Sequence, residues 1–203
     1  MNQNLSKPDG ALFWHLTALS NMQNILKEGL LSRDKLIFNE YDDISPSKLN
    51  QKRMEKGLDK FIPFHFFPLN PFDISVFKQS KNKEYCYITI LQDTACCLKC
   101  KIVLEYPNHK NIEELLLEYN YENKKKIDEK INNIRKNTDY SKGKDKLESL
   151  GECLVPDSIK PIDFYSIIIK NIESKEKIEK WSKEFQGNYK YIIDIRPGYF
   201  ECL

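Results

Sequence analysis

The chain has 203 residues, of which 40% are hydrophobic and 12% aromatic, enough apolar material for one packed domain over residues 1–203. Lys and Arg number 32 against 30 Asp and Glu, so the formal net charge is only +2. This balance excludes a strongly basic chain that binds nucleic acid along its whole surface. A nucleic-acid partner would have to use a local patch.

The first ten residues are polar and lack the apolar region of an export signal. No apolar run approaches the length that spans a bilayer. We therefore expect a cytoplasmic protein without membrane contact, whose six cysteines remain thiols. Cys96, Cys97 and Cys100 leave a small zinc-binding regulator open as an alternative. His109 is the only nearby candidate for the fourth ligand, so no metal is predicted.

The first predicted element is a strand over residues 12–17. On a strand, side chains alternate between faces, so Phe13, His15 and Thr17 are expected to point the same way. Two polar side chains on one face of a buried strand need hydrogen-bond partners. Either other protein groups or a polar ligand must supply them.

A short helix is predicted next, because Ser20 and Gln23 fit a capping box and Gly29 suits a helix end. The polar segment 32–59 follows, with a short helix at residues 49–56. Loops this long inside a small domain are usually functional or mobile.

An apolar run at residues 61–67 predicts a second strand, with Pro63 at an edge or a bulge. Asn70 fits the N-cap of another helix, with Pro71 in its first turn. Further strands are predicted at residues 85–91, 101–104, 151–155, 164–169 and 189–195, and further helices at 112–119, 123–135 and 174–185. This pattern predicts a mixed α+β fold with a mostly β core.

A basic stretch runs from Lys124 to Lys146, but acidic residues interrupt it. Such mixed charge predicts a solvated face. A surface that contacts phosphates is the alternative.

Three separated features have compatible chemistry: the polar pair His15 and Thr17, the aromatic run 64–67 with Phe72 beyond it, and Glu152 near a late strand. A histidine can hydrogen-bond ribose hydroxyls, and an aromatic face can stack on a flat heterocycle. A carboxylate can stabilise positive charge that develops on a sugar. Residue chemistry alone indicates an α+β domain with a candidate pocket and no generic motif.

Three segments together resemble the DarT family of DNA ADP-ribosyltransferase toxins. They read FWHLT at residues 13–17, continuing to ILKEGLLS at 25–32; GLDKFIPFHFF at 57–67, continuing to NPFD at 70–73; and GECLVP at 151–156. The resemblance implies an α+β, ADP-ribosyltransferase-like fold with a mostly antiparallel central sheet flanked by helices. It also implies that NAD is the co-substrate and that a base in single-stranded DNA is modified. A macrodomain antitoxin, DarG, is the implied partner.

The same resemblance implies roles for individual residues. The implied NAD contacts are His15, Thr17, Asn21, Asn24, His65, Phe66 and Phe72, the last as a nicotinamide-stacking ring. Glu152 matches the catalytic glutamate, and Arg53 matches an arginine implicated in catalysis and substrate positioning. The expected DNA contacts are Lys48, Lys52 and Arg53, in the long polar segment.

The second motif, from His65 to Pro71, departs from the pattern of the thymine-modifying branch and is closer to the guanine-modifying branch. Guanine is therefore the favoured base. Two alternatives stay open: an ADP-ribosyltransferase that acts on RNA or protein, and a non-catalytic module that binds a nucleotide.

Overall fold

The structure is a computed structural model that describes residues 11–37, 41–79, 82–107, 111–136 and 143–201, with no side chains described for 143–145. The strands are β1 (Leu12–Ala18), β2 (Leu30–Leu31), β3 (Phe61–His65), β4 (Tyr85–Leu91), β5 (Lys101–Val103), β6 (Leu117–Glu118), β7 (Glu152–Pro156), β8 (Ser158–Ile159), β9 (Ser166–Ile169) and β10 (Ile192–Ile195). The helices are α1 (Met22–Glu28), α2 (Ser47–Glu55), α3 (Pro71–Gln79), α4 (Gln92–Cys97), α5 (Lys124–Lys136), α6 (Gly143–Glu148) and α7 (Ile172–Gln186).

Eight of the strands form one sheet in the order β10-β9-β4-β1-β3-β7-β5-β6, and β2 pairs with β8 separately. Only β9 and β10 pair in parallel among the described strands, so the sheet is mostly antiparallel. The predicted α+β class with a mostly antiparallel, helix-flanked sheet is confirmed.

Both faces of this sheet are covered, because side chains on the central strands alternate between two apolar layers. Phe13 belongs to a core with residues of α1, α5 and α7, whereas its neighbour Trp14 packs in a second core with residues of α3. Both rings are fully buried. The near-continuous apolar character of β1 and β4 follows from this two-sided burial.

The seam between β1 and β3 differs from the other central pairings. β1 pairs with β4 at seven positions from Leu12 to Ala18, but it pairs with β3 only where Trp14 lies opposite His65. Side chains hold the seam elsewhere. His15 Nδ1 lies 2.8 Å from the carbonyl oxygen of Pro63. A residue without a backbone N–H cannot extend the ladder, so the divergence of the strands occurs at Pro63.

The other end of the seam is held by Arg135 at the end of α5. Its Nε donates to the carbonyl of Phe66 at 2.7 Å, and its Nη2 donates to the carbonyl of Leu12 at 2.6 Å. Burial lowers the pKa of Arg135 to about 10. The residue therefore ties α5 to β1 and to the chain just after β3.

Two local expectations were wrong. Ser20 lies in a 3₁₀ turn and α1 begins at Met22, with no side-chain hydrogen bond at its N-cap, so the capping box does not form. The helix predicted at residues 112–119 is a 3₁₀ turn followed by β6, because pairing with β5 outweighs local helix propensity there. The helices α4 and α6 were not predicted.

None of the helices in the described ranges is long and apolar enough to cross a membrane.

Candidate active site

A cleft of about 230 Å³ opens where β1 and β3 diverge. Its walls come from β1, α1, β3, α2, the start of β7 and residues 41–45, which we call the strap. Of the predicted site residues, the cleft is lined by His15, Thr17, Asn21, Asn24, Arg53, His65, Phe72 and Glu152. The early histidine and the late glutamate therefore meet at one cavity, although they are far apart in the chain.

Arg53 and Glu152 form a buried ion pair in this cleft. Arg53 Nη1 donates to both carboxylate oxygens, at 2.8 and 2.9 Å. The side chains are only 10% and 7% exposed, respectively, so water screens the pair weakly. The register of the sheet places Glu152 at the cleft, because Glu152 is the first residue of β7 and lies directly opposite His65 on β3.

His15 is half-buried, and its pKa is lowered to about 4, mainly by desolvation and less by the nearby His65, against the hydrogen bond to Pro63, which raises it. The ring is therefore neutral near pH 7. A carbonyl oxygen can only accept, so the hydrogen bond to Pro63 assigns the proton to Nδ1. This tautomer leaves Nε2 as an acceptor, suited to a sugar hydroxyl.

His65 and Phe72 form an aromatic wall, with ring centroids 5.5 Å apart and planes tilted by 30°. Desolvation, followed by the nearby Arg53 charge, lowers the pKa of His65 to about 3. Both rings of the wall are therefore uncharged near pH 7, and the charged group beside His65 is the guanidinium of Arg53. A flat heterocycle could pack against such rings.

Thr17 and Asn21 are tied to the strap. Asn21 Nδ2 donates to Thr17 Oγ1 at 3.1 Å and to the carbonyl of Asp42 at 3.0 Å. Asn21 Oδ1 accepts from the N–H of Asp42 at 2.6 Å. One side-chain amide thus satisfies both backbone groups of a strap residue and holds the strap against β1 and α1.

Asp43 is the centre of a second network. Its carboxylate accepts from two nitrogens of Arg33 at 2.7 and 3.0 Å, from the N–H of Ser45 at 2.9 Å and from Asn50 Nδ2 at 2.8 Å. Burial acts to raise the pKa of Asp43, but these donors outweigh it and hold the pKa below its ordinary value. The network joins the strap to α2, the helix that carries Arg53.

Three buried polar atoms in the cleft walls have no hydrogen-bond partner among the described residues: Asn50 Oδ1, Arg53 Nη2 and His65 Nδ1. A buried polar group left unpaired costs about 1–3 kcal/mol. Their concentration in one cleft indicates a site for a polar ligand.

Three predicted site residues lie outside the cleft lining. Phe66 is 1% exposed and packs in the core near Phe13, with ring centroids 6.0 Å apart. This placement contradicts its expected nicotinamide contact, because alternation along the strand sends Phe66 to the opposite face from His65. Lys48 and Lys52 are exposed on α2.

Sequence reasoning missed Asp43 in the strap and Asn50 on α2, since a single polar residue carries no periodic signal. It also missed the role of Gly151. A Cβ there would approach Phe66 to 2.6 Å and the carbonyl oxygen of Val103 to 2.8 Å. A glycine is therefore needed immediately before Glu152.

The cysteine cluster is separate from this cleft. Cys96 and Cys100 are buried, whereas Cys97 is exposed, with its sulfur 3.1 Å from the hydroxyl oxygen of Tyr121. No group of three metal-ligating side chains occurs within the described ranges. His109, the expected fourth ligand, lies outside them.

The site combines a carboxylate, a guanidinium, a neutral imidazole acceptor and an aromatic wall. A family model described as "ssDNA thymidine ADP-ribosyltransferase, DarT" matches residues 14–200. The chain belongs to the DarT family. It is therefore a DNA ADP-ribosyltransferase, and the resemblance seen in its three sequence segments is confirmed.

Solved DarT structures share this fold at low sequence identity. Thermus sp. 2.9 DarT in complex with ADP-ribosylated ssDNA is 14% identical with a TM-score of 0.76, covering 99% of this chain and 100% of that chain. The same protein in complex with NAD+ is 13% identical with a TM-score of 0.71, covering 97% and 100%. Thermosipho africanus DarTG in complex with ADP-ribose is 17% identical with a TM-score of 0.69, covering 94% of this chain and 51% of that chain. No curated protein matches the chain.

Proposed function

We propose that this DarT-family chain uses NAD as its donor and transfers ADP-ribose to a base in single-stranded DNA. The observation that carries the proposal is the buried Glu152 carboxylate in a cleft shared with neutral His15 and Arg53. The DarT structures solved with NAD+ and with ADP-ribosylated ssDNA support the same chemistry.

In the proposed reaction the bond between nicotinamide and ribose breaks, and nicotinamide leaves with the bonding electron pair. Positive charge then grows at the anomeric carbon, and Glu152 stabilises it while accepting the hydrogen bond of the ribose 2′-hydroxyl. Electrostatic stabilisation of this kind contributes about 10²–10³ in rate per group. A base nitrogen attacks the anomeric carbon from the opposite side, and its proton passes to Glu152.

The roles proposed for the cleft residues follow from their chemistry. His15 Nε2 accepts from a ribose hydroxyl, and His65 and Phe72 pack against the nicotinamide ring. Asn21, Asn24 and Thr17 are the further NAD contacts that we propose. Since Asn21 is hydrogen-bonded both to Thr17 and to the backbone of Asp42 in the strap, NAD that contacts these side chains must exchange some of those bonds.

Single-stranded DNA is proposed to approach along α2. Lys48 and Lys52 lie four residues apart, so they project from one face of the helix, and both are exposed. Arg53 lies beside them on the cleft side, where it meets Glu152. The lysines can contact phosphates while a base enters the cleft, and single-stranded DNA needs no base extrusion from a duplex.

The acceptor base has two candidates. The second motif, from His65 to Pro71, favours guanine, whereas the description of the matching family model names thymidine. We retain guanine as the proposal from the motif and make thymine the competing outcome of the experiment.

We further propose that the single domain acts in the cytoplasm as the toxin of a toxin–antitoxin pair, with a DarG-like macrodomain as the antitoxin. The likeness to Thermosipho africanus DarTG supports this pairing. Co-expression with a DarG-type macrodomain should relieve the growth arrest that the chain alone causes.

The decisive experiment incubates the protein with NAD and short oligonucleotides that each carry one base type at the target position, followed by mass spectrometry. We expect one ADP-ribose on one class of DNA oligonucleotide, and none with Glu152→Gln. Label that appears only on RNA or on protein would overturn the DNA proposal. Binding of NAD without any transfer would instead indicate a non-catalytic module.

A further inference from the structure

Asn50 has a side-chain amide whose orientation is set by its neighbours. Its Nδ2 donates to Asp43 Oδ2 at 2.8 Å and to the carbonyl of Ser45 at 3.4 Å. A carboxylate and a carbonyl can only accept, so the nitrogen of the amide must face them. The oxygen, Oδ1, is therefore held on the other side.

The Asp43 carboxylate cannot readily turn away, because Arg33 holds it through two nitrogens at 2.7 and 3.0 Å. Paired, planar contacts of this kind fix geometry as well as charge. The Arg33–Asp43–Asn50 chain thus restrains an acceptor at a defined place in the cleft wall.

That acceptor has no partner. Asn50 Oδ1 is buried in the cleft wall without a hydrogen bond from any described residue. One helical turn further along α2, Arg53 Nη2 is a buried donor that also has no hydrogen-bond partner among the described residues. The other terminal nitrogen of that guanidinium, Nη1, donates to Glu152. The helix therefore presents an unpaired acceptor and an unpaired donor from the same side, next to the reacting centre.

We infer that Asn50 is a ligand-binding residue whose Oδ1 accepts an N–H from a planar amide or imide edge, while Arg53 Nη2 donates to the oxygen of that edge. This inference rests on the proposed function and deepens it. Two reactants carry such an edge: the carboxamide of NAD and the hydrogen-bonding edge of guanine or thymine. Both atoms are buried in the cleft wall, so the ligand reaches them when the side chains that cover them adjust on binding.

The test measures KM for NAD and KM for the oligonucleotide separately, in the wild type, Asn50→Ala and Gln51→Ala. Gln51 is the matched control, because it is exposed on the same helix and its side-chain amide donates to Glu55 at 3.1 Å, away from the cleft lining. Removing Oδ1 should raise the KM of one reactant about tenfold, with kcat changed much less, since one hydrogen bond to a neutral partner disappears. Gln51→Ala should leave both constants at the wild-type value.

The reactant whose KM rises is the one that donates an N–H to Asn50 Oδ1. If it is NAD, nicotinic acid adenine dinucleotide, which lacks the amide N–H, should be discriminated against by the wild type and not by Asn50→Ala. If it is the DNA, the effect should appear in the oligonucleotide KM alone. Either result supports the assignment, and they identify different ligands.

The assignment is overturned if both KM values stay at the wild-type level, or if Gln51→Ala changes them as much as Asn50→Ala does. Should Asn50→Ala fail to fold by circular dichroism, Asp43→Asn provides a second route. That change lets the Asn50 amide turn over, so it should raise the same KM by a smaller factor, and an unchanged KM overturns the inference. A wild-type protein that modifies no DNA at all would refute the proposed function instead.

Discussion

Arg53 and Glu152 are separated by 99 residues in the chain, yet one guanidinium nitrogen of Arg53 lies 2.8 and 2.9 Å from the two carboxylate oxygens of Glu152. This buried pair joins α2 to the first residue of β7. Because each charge compensates the other away from water, the pair links the stability of the fold to the chemistry of the site.

Replacing Glu152 alone should affect both properties. Glu152→Ala leaves the Arg53 guanidinium buried without its carboxylate, so we expect the free energy of unfolding to fall by about 3–5 kcal/mol. Transfer of ADP-ribose should fall by at least about 10²–10³-fold. Urea denaturation and the oligonucleotide assay measure the two effects.

The double variant Arg53→Met with Glu152→Leu is the control for that prediction. Both charges are removed together, so much of the stability should return while activity stays absent. Full DNA modification by either variant would contradict the role of Glu152.

The exposed lysines of α2 should govern DNA affinity. Replacing Lys48 and Lys52 together by Ala should weaken single-stranded DNA binding and lower the slope of log K against log salt by about 1.4, because each lysine that neutralises a phosphate adds about 0.7 to that slope. NAD affinity should not change. Fluorescence anisotropy at several salt concentrations measures the slope.

Lys125 and Lys126 on α5 provide the matched control, because they are also exposed and their replacement by Ala removes the same two positive charges. Their replacement by Ala should leave the slope intact. An equal weakening in both double variants would mean that DNA also crosses α5, the alternative interpretation of the basic stretch.

Arg135 should be more important for stability than its position in that basic stretch indicates. Arg135→Met removes the donors to the carbonyls of Leu12 and Phe66. Because two charge-assisted hydrogen bonds disappear, we expect the free energy of unfolding to fall by roughly 2–4 kcal/mol. Lys136→Met, one residue later and exposed, is the control and should be nearly neutral. Equal stability of the two variants would show that the seam does not depend on Arg135.

Acid should destabilise the protein through the two histidines of the cleft, His15 and His65. The folded pKa values of His15 and His65 are lowered to about 4 and about 3 from 6.5, so the unfolded chain binds more protons below pH 6.5. Their contribution to stability is therefore complete above pH 6.5 and is lost as the pH falls toward those folded values. Replacing His65 by Asn should flatten this dependence, as measured by denaturation between pH 7 and pH 4.

Asp73 has the opposite effect on the pH dependence of stability, so its contribution must be separated from that of the histidines. Burial raises the pKa of Asp73 to about 7, against hydrogen bonds from Tyr87 and Asn70 that lower it. The folded state then binds the extra proton, so this contribution is present below pH 3.8 and is lost as the pH rises through 7. Comparing His65→Asn with the wild type in an Asp73→Asn background isolates the histidine effect. An unchanged slope on removing His65 would contradict the prediction.

Much of the fold was predictable where local patterns are strong. The apolar runs of β1 and β4 and the amphipathic helices α5 and α7 were found close to their observed bounds, because burial on a sheet or one helix face imposes a regular spacing. The turn at residues 112–114 and β6 was mistaken for a helix, since its strand pairing is made with a distant segment.

The residue types of the active site were also available from the sequence. The family-like segments identified His15 and Glu152, and Arg53 was assigned in the loop just before the second segment; all three residues line one cleft in the structure. The same segments placed Phe66 in the site, but the two-residue alternation of strands sends it into the core while His65 faces the cleft.

What the sequence determined by itself is most of the strands and helices, their apolar faces and the membership in a family, since these depend on patterns between near neighbours. Only the tertiary structure decided how the seam between β1 and β3 opens, how the strap fixes Asn50, and which guanidinium meets Glu152. Those features depend on hydrogen bonds between residues that are distant in the chain, and such bonds are specified by the packed fold as a whole.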